Sequence, residues 1–345
     1  MEIIEKTTNS GHEMLLAGRD PANGYQGIIA IHSTALGPAV GGARFWNYRD
    51  EEEAVTDALR LSRGMTYKNA LAGLPFGGGK SIIIGDNKIA NREALFRAHG
   101  RFVETLGGRY ITAEDVGTSP ADMEFVRLET NHVAGLIGCS GDPSPITARG
   151  VFRAIKASAK YRWGSDDLSG ASVALQGCGH VGYYLAKNLR EAGARLIAAD
   201  VDAEKLARVV EEFDAVAARP DEIYGVRADI FAPCALGGII NDSTIQQLRA
   251  RIIAGGANNQ LLDERHGEML VEEDILYAPD YAANAGGMIN GCIELLGWER
   301  ENALRKVDEI YDTILTIFEI ARADGIPTNK AADRLAENRL QGANV

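Results

Sequence analysis

An α/β fold in two domains is what this chain of 345 residues predicts, on three observations. Residues 171–200 read as a strand, a glycine turn, a helix, a second strand and an acid. Short apolar strands alternate with amphipathic helices on both sides of that unit, the pattern of a sheet covered by helices. A stretch rich in glycine, proline and serine at 134–146 has the composition of a connection between domains. The expected division is an αβ domain over 1–133, the connection over 134–146, and a doubly wound domain over 147–325.

Composition narrows the function classes. The length allows two sizeable cores, and 46% hydrophobic residues is ordinary for a globular chain. A net charge of -12 argues against nucleic-acid or anionic-membrane partners. No run of about 18 apolar residues offers a membrane span, and Met1-Glu2-Ile3-Ile4-Glu5-Lys6 lacks the apolar core of a signal peptide. Cys139, Cys178, Cys234 and Cys292 form no C-x-x-C pair, so free thiols in a reducing cytoplasm are expected. The six histidines (12, 32, 99, 132, 180 and 266) show no H-x-x-x-H spacing, and no metal site is expected.

In the first domain, residues 27–32 read as a strand and Ala39-Val40-Gly41-Gly42-Ala43-Arg44 as a glycine-bearing turn after it. Residues 50–62 read as an amphipathic helix: Asp50 caps it, Glu53 falls at the capping-box position, and Val55, Ala58, Leu59 and Ser62 share a face. Beyond it come two lysines twelve residues apart. Lys68 is expected past the helix, and Lys80 at the mouth of the buried strand Ile82-Ile83-Ile84, behind a loop of Gly77-Gly78-Gly79. Met65, Tyr67, Leu74, Pro75, Phe76 and the isoleucines surround both with apolar surface. A poorly solvated lysine has a lowered pKa and can accept a proton, and the glycines let a ligand approach the backbone. This is not a nucleotide phosphate loop: in G-x-x-x-x-G-K-S the first glycine falls at Leu74, and a helix precedes it where a strand is required. Asn91 caps a helix with Leu95, Phe96, His99, Phe102, Val103 and Leu106 inward. Residues 110–113 form a strand that delivers Glu114 and Asp115, and Pro120 opens a helix to about 131.

The second domain starts with a helix over 147–162 and the strand 171–176. Gly177-Cys178-Gly179-His180-Val181-Gly182, a helix over 181–192 and the strand 195–200 follow, and Asp200 lies 18 residues after the last glycine. Together these are the fingerprint of a dinucleotide-binding unit of Rossmann type. Gly177, Gly179 and Gly182 give the tight turn and the close approach. His180 and Val181 open the helix on whose N-terminus a pyrophosphate rests. Asp200 accepts hydrogen bonds from the adenosine ribose and repels a 2′-phosphate, which favours NAD over NADP. Strands at 228–231 and 251–254 end in loops holding Cys234-Ala235 and Asn258-Asn259, which should border the cofactor because ligands lie beyond strand C-termini. A last strand at 277–279, a helix opened by Asn284, one long helix over 299–323 and a final helix over 328–340 complete the chain.

A nicotinamide cofactor implies hydride transfer, and the first domain must then handle substrate and protons. Lys68, Lys80 and Asp115 suit an amino acid. One ammonium pairs with its carboxylate, the other activates a water that attacks an iminium carbon, and Asp115 accepts a proton from the amine.

Met65-Thr66-Tyr67-Lys68, Gly77-Gly78-Gly79-Lys80, Glu114-Asp115-Val116-Gly117, Ser144-Pro145-Ile146-Thr147, Gly255-Gly256-Ala257-Asn258-Asn259-Gln260 and Ala278-Pro279-Asp280-Tyr281-Ala282-Ala283-Asn284-Ala285-Gly286-Gly287 resemble the glutamate/leucine/phenylalanine/valine dehydrogenase family, most of all its leucine and phenylalanine branch. The likeness runs from about residue 10 to 340. It implies that Lys68 binds the substrate carboxylate with Gly41, Gly42 and Asn259, that Lys80 is the general acid/base acting through a water, and that Asp115 shares the proton transfer. It implies that Thr147 and Asn284 hold the nicotinamide amide. It also implies a substrate domain and an NAD-binding domain separated by a cleft that closes in turnover, residues 326–345 packing back on the first domain, and a homo-oligomer built through it.

The resemblance bears on substrate too. Glutamate enzymes of the family place a lysine before the Gly-Gly pair and a serine in the helix after the second one; here these are Val40 and Gly291. The implied pocket of Val40, Met65, Ala113, Met288 and Gly291 is apolar, so the expected reaction is NAD-dependent oxidative deamination of a hydrophobic L-amino acid to its 2-oxo acid. Leucine enzymes tend to carry valine at the last two positions. Pro75-Phe76 and Leu296-Gly297-Trp298 lean to an aromatic substrate, with branched-chain as the other reading and tryptophan a further preference. A non-catalytic NAD-binding sensor is the alternative from another class, and the complete set of Lys68, Lys80 and Asp115 speaks against it. A hydroxy-acid dehydrogenase would want a histidine or arginine at the reacting carbon, and no histidine is well placed for that.

Overall fold

The computed structural model describes residues 2–342 and divides into two units. One comprises Met1–Gly141, Gly291–Trp298 and Ala336–Val345; the other comprises Asp142–Asn290 and Glu299–Leu335.

The first unit runs α1 (Glu2–Asn9), β1 (Met14–Asp20), β2 (Tyr25–Ser33), β3 (Ala39–Trp46), α2 (Glu51–Leu71), β4 (Gly77–Ile84), α3 (Arg92–Glu104), β5 (Tyr110–Glu114) and α4 (Pro120–Arg127). The sheet order is β1-β2-β4-β3-β5. β1, β2 and β4 pair antiparallel, and β4, β3 and β5 pair parallel. One face is covered by α2, through Ala54, Val55, Ala58 and Leu59 against Ile28, Ala30 and Ile82. The other is covered by α3 and α4, through Leu95, Phe96, Met123 and Val126 against Ala43, Phe45 and Ile83. Each such large side chain contributes roughly 1.5–3 kcal/mol by leaving water, so β4, in the middle, is locked between two apolar layers.

Three expectations change here. The helix after Asp50 does not end near Ser62 but runs on to Leu71, so Lys68 lies in its last turn and not beyond it. Gly64 does not break it, because a glycine costs a helix only about 1 kcal/mol and the turns beyond it bury Thr66, Tyr67, Ala70 and Leu71. Gly77-Gly78-Gly79 is not a loop but the first half of β4, which puts Lys80 inside the strand. A Cβ on Gly78 would stand 2.0 Å from the backbone nitrogen of Thr66, so the glycine is what lets α2 lie directly on the strand. Residues 39–44, expected as a turn, are likewise strand.

The second unit holds α5 (Ser144–Trp163), β6 (Ser172–Gln176), α6 (His180–Glu191), β7 (Arg195–Ala199), α7 (Ala203–Phe213), β8 (Val216–Ala217), β9 (Ile230–Pro233), α8 (Asp242–Gln247), β10 (Ile252–Ile253), α9 (Arg265–Glu272), β11 (Leu276–Tyr277) and α10 (Asp280–Ala283). Then come α11 (Gly286–Leu295), α12 (Arg300–Asp308), α13 (Ile310–Asp324) and α14 (Thr328–Gly342). The end of α11 and the end of α14 count with the first unit. All pairs in the sheet are parallel, in the order β11-β10-β9-β6-β7-β8. Counted from β6, that is the 3-2-1-4-5-6 order of the dinucleotide-binding fold. The long helix expected over 299–323 is two helices with a turn at Glu309. Gly150 of α5 explains the packing: a Cβ there would meet both Ile310 and Val307, one from each side of the turn.

Candidate active site

Side chains alternate along a strand. Val40, Gly42 and Arg44 of β3, Gly78 and Lys80 of β4 and Ala113 of β5 therefore share the face covered by α2. Lys80 is only 5% exposed. Its Nζ lies 2.7 Å from Oδ2 of Asp115, one residue past β5. The ion pair crosses β3, and the residue of β3 beside Lys80 is Gly42, since Ala43 pairs with Ser81. A Cβ on Gly42 would lie 2.4 Å from the carbonyl oxygen of Glu114 and 2.8 Å from Cβ of Asp115. Bare backbone at that point is what lets the carboxylate settle against the lysine.

Asp115 is shared. Its Oδ2 also accepts from Nε of Arg44 at 3.1 Å. Nη1 of Arg44 reaches Oδ2 of Asp57 on α2 at 2.9 Å. That carboxylate in turn accepts from Oη of Tyr48 at 2.7 Å and from Nη2 of Arg60 at 2.9 Å. Burial lowers the pKa of Lys80, Asp115 opposes the lowering without cancelling it, and Arg44 adds to it. Burial pushes the carboxyl of Asp115 up, but Lys80 and Arg44 together outweigh it and hold the group below its ordinary value. The result is an ammonium that gives up its proton more easily than a surface lysine, beside a carboxylate that stays charged.

Lys68 is half-buried in the last turn of α2, where the helix C-terminus favours a cation. That end is fixed. Asn69 donates to the carbonyl of Gly77 at 2.7 Å, Nη1 of Arg339 donates to the carbonyls of Ala70 and Leu71 at 2.8 and 2.6 Å, and Tyr67 donates to Glu337 at 2.8 Å. Of the expected pocket residues, Val40 is buried, Ala113 is half-buried on the same sheet face, and Met65 is half-buried on α2. Gly291 lies in the part of α11 that belongs to this unit, and a Cβ there meets nothing within 4 Å. Met288 lies on α11 in the second unit.

In the second unit, Gly177 takes φ +98° between β6 and α6, and a Cβ on it would come within 2.8 Å of Ala235 and 2.9 Å of Cys234. Cys234 and Ala235 thus lie against the glycine turn, and Val181 packs on Gly256 from the neighbouring loop. A Cβ on Gly182 would strike the carbonyl of Gly177 at 2.0 Å, so the helix sits tight on the turn. Gly179, in contrast, faces open space, and the first turn of α6 has no side-chain cap. His180 supplies only backbone: its side chain is 81% exposed, 3.8 Å from Asp142. Asp200 accepts from the backbone N–H of Cys178 at 2.6 Å and of Asp202 at 2.8 Å; a carboxylate has lone pairs left for two hydroxyls. Asn284 donates to the carbonyl of Gly256 at 3.2 Å and to Asn258 at 2.9 Å, while its Oδ1 is buried with no partner among the described residues. The hydroxyl of Thr147 donates to the carbonyl of Pro143 at 2.9 Å and lies near Gly287 at the start of α11. Asn259 is held in a left-handed conformation, φ 52°, by its N–H on Asp280 at 2.8 Å. An uncapped helix N-terminus beside an open glycine suits a diphosphate, and an orphaned amide oxygen suits the NH2 of a carboxamide. The residues present fit a nicotinamide dinucleotide.

Sequence reasoning missed Arg44, Asp57 and Asp280. Arg44 was findable, since it follows Gly42 by two residues and must share its face if both lie in a strand. Asp57 precedes Lys68 by eleven residues, three helical turns, a spacing visible only once α2 is known to reach Lys68. Among the described residues no group of three or more His, Cys, Asp or Glu is placed to hold a metal, and no helix is long and apolar enough to cross a membrane.

Known proteins resemble this chain along nearly its whole length. Residues 12–132 match the Glu/Leu/Phe/Val dehydrogenase dimerisation domain, and residues 138–204 and 200–344 match the glutamate/leucine/phenylalanine/valine dehydrogenase model. A leucine dehydrogenase of Geobacillus stearothermophilus is 56% identical over 344 residues, 99% of this chain and 94% of that protein. A phenylalanine dehydrogenase of Lysinibacillus sphaericus is 47% identical over 349 residues, 99% of this chain and 91% of that one. The crystal structure of L-tryptophan dehydrogenase from Nostoc punctiforme superposes with a TM-score of 0.90 at 47% identity, covering 99% of this chain and all of that one.

Proposed function

The chain belongs to the glutamate/leucine/phenylalanine/valine dehydrogenase family, and from that premise we propose that it catalyses the reversible NAD-dependent oxidative deamination of a hydrophobic L-amino acid to the 2-oxo acid, ammonia and NADH. The observation that carries the reading is the 2.7 Å pair of buried Lys80 and half-buried Asp115 on the sheet face that α2 covers.

Each group has a task. Lys68 pairs with the substrate carboxylate, assisted by backbone at Gly41 and Gly42 and by Asn259. Asp115 takes a proton from the substrate ammonium, which frees the nitrogen lone pair. A bound nicotinamide supplies the hydride acceptor. Lys80, whose burial makes its proton easier to lose, takes a proton in its neutral form from the water that adds to the iminium carbon, and the carbinolamine then collapses to the oxo acid and ammonia. Thr147 and the free oxygen of Asn284 orient the carboxamide, the N-terminus of α6 receives the diphosphate, and Asp200 reads the ribose as that of NAD.

The candidate substrate contacts of the first unit, Val40, Met65, Ala113 and Gly291, carry no charge, and burying an unpaired side-chain carboxylate against them would cost several kcal/mol. Glutamate is therefore not the substrate. Branched-chain amino acids come first, because the leucine enzyme is 56% identical to this chain over 344 residues against 47% over 349 for the phenylalanine enzyme; aromatic substrates come second, on Pro75-Phe76 and the open space at Gly291. The protein works as a homo-oligomer in the cytoplasm. The test is NADH formation from leucine, valine, phenylalanine, tryptophan and glutamate, each with NAD and with NADP. Activity on an apolar amino acid with NAD is expected, and silence on all four apolar substrates overturns the reading.

A further inference from the structure

Lys80 and Asp115 do not stand alone, and the groups behind them have no task in the reaction as described. The charges alternate through the first unit: Lys80 on β4, Asp115 after β5, Arg44 on β3, Asp57 on α2, with Arg60 beyond it. Every link is between 2.7 and 3.1 Å. Arg44 is mostly buried, with a side chain 21% exposed, and Asp57 is 15% exposed. Burying two further charges under a site is costly unless each is paired, and here each is paired twice: Arg44 with Asp115 and Asp57, and Asp57 with Arg44 and Arg60. A structural clamp between α2 and the sheet would need only the outer pair. This one is instead wired to the same carboxylate oxygen that Lys80 uses, Oδ2 of Asp115.

We propose that Arg44 and Asp57 are positioning residues for the reaction: Asp57, anchored on α2, holds the guanidinium of Arg44, and Arg44 orients the carboxylate of Asp115 against Lys80 and sets the charge balance at that lysine. Lys80, Asp115, Arg44, Asp57 and Arg60 together carry one net positive charge while Lys80 is protonated and none once it is not. Loss of the proton from Lys80 thus neutralises the cluster. The two members act on Lys80 in opposite senses, Arg44 favouring its neutral form and Asp57 its charged form. The other charged or titratable groups near by are Glu114 beside Asp115, Tyr48 on Asp57 and Lys68 further along α2.

The inference rests on the proposed reaction, and the test separates the two. Arg44→Met and Asp57→Asn are compared with the unaltered protein by kcat against pH and, independently of activity, by the pH dependence of acylation of Lys80 with acetic anhydride, read by peptide mass spectrometry. The acidic limb of the rate profile and the labelling midpoint are expected to move to higher pH in Arg44→Met and to lower pH in Asp57→Asn, by about one pH unit each, the scale of a unit charge acting over several ångströms of protein. Arg44→Lys restores part of the Arg44→Met shift. Shifts of the same sign, or no shift in folded variants with unchanged melting temperature, overturn the positioning role. An unaltered protein inactive on every amino acid, with the opposite labelling shifts still present, leaves the positioning role standing and overturns the reaction. Should Arg44→Met not fold, the sign of the Asp57→Asn shift alone decides.

Discussion

Lys80 shows how much chemistry one position takes from its surroundings. A lysine at a strand end in water keeps its proton at any ordinary pH. At 5% exposure, inside the central strand, it is poorly hydrated and depends on one carboxylate for its charge. Lys80→Ala is expected to lower kcat by roughly 10²–10⁴-fold, the usual cost of a lost acid/base group, with substrate binding through Lys68 less affected; steady-state kinetics at saturating substrate check it. Lys68, Lys80 and Asp115 were legible in the sequence because charged residues inside apolar surroundings stand out. The residues that support them were not, because an arginine or aspartate on a strand or helix gains a role only when its face is known.

At the level of elements, α2 and α3 hold the site from opposite sides of the sheet. The C-terminal carbonyls of α2 are satisfied by Arg339, from a part of the chain 268 residues away, so the turn that bears Lys68 depends on the last helix. Arg339→Met is expected to cost about 2 kcal/mol, the range for charge-assisted hydrogen bonds lost to buried acceptors, and to raise KM more than it lowers kcat; denaturant melts and kinetics measure both. On the other side, α3 buries His99 completely, with Nδ1 3.0 Å from Oη of Tyr25. Burial pushes its pKa down to about 3 from 6.5. The folded state thus resists a proton that the unfolded chain accepts, so the neutral ring's contribution is whole above the unfolded value and is lost as pH falls from about 6.5 towards 3. Between neutral pH and about pH 5 the protein should lose about 2 kcal/mol through this group, and His99→Gln should lose correspondingly less; unfolding midpoints at the two pH values test the difference. The elements themselves were read best where periodicity is long, as in α3 and α5. The glycine pairs misled, because glycine in sequence signals a turn, whereas here it marks strands that must pass close to a helix or to each other. The hairpin of β1 and β2, tied by Pro21–Asn23, left no pattern strong enough to be singled out.

For the molecule as a whole, the second unit was the more legible half, since the strand–glycine–helix–strand–acid run marks the parallel pair of β6 and β7 and the glycine turn between β6 and α6. The mixed order of the first sheet, β1-β2-β4-β3-β5, follows from no local signal, because it is decided by which apolar faces can be covered. Light scattering of the purified protein is expected to return an integral multiple, above one, of the protomer mass, and a monomer that is fully active would overturn the oligomer. The bare stretch of β3 under the lysine–aspartate link also bears on redesign. Residue 42 carries no side chain to exchange, and adding even a methyl group would displace the acid it supports. A library that randomises residue 42 is therefore expected to keep far fewer active members than one that varies the proposed substrate contacts 65, 113 and 291 and spares residue 42, as activity counts of the two libraries would show.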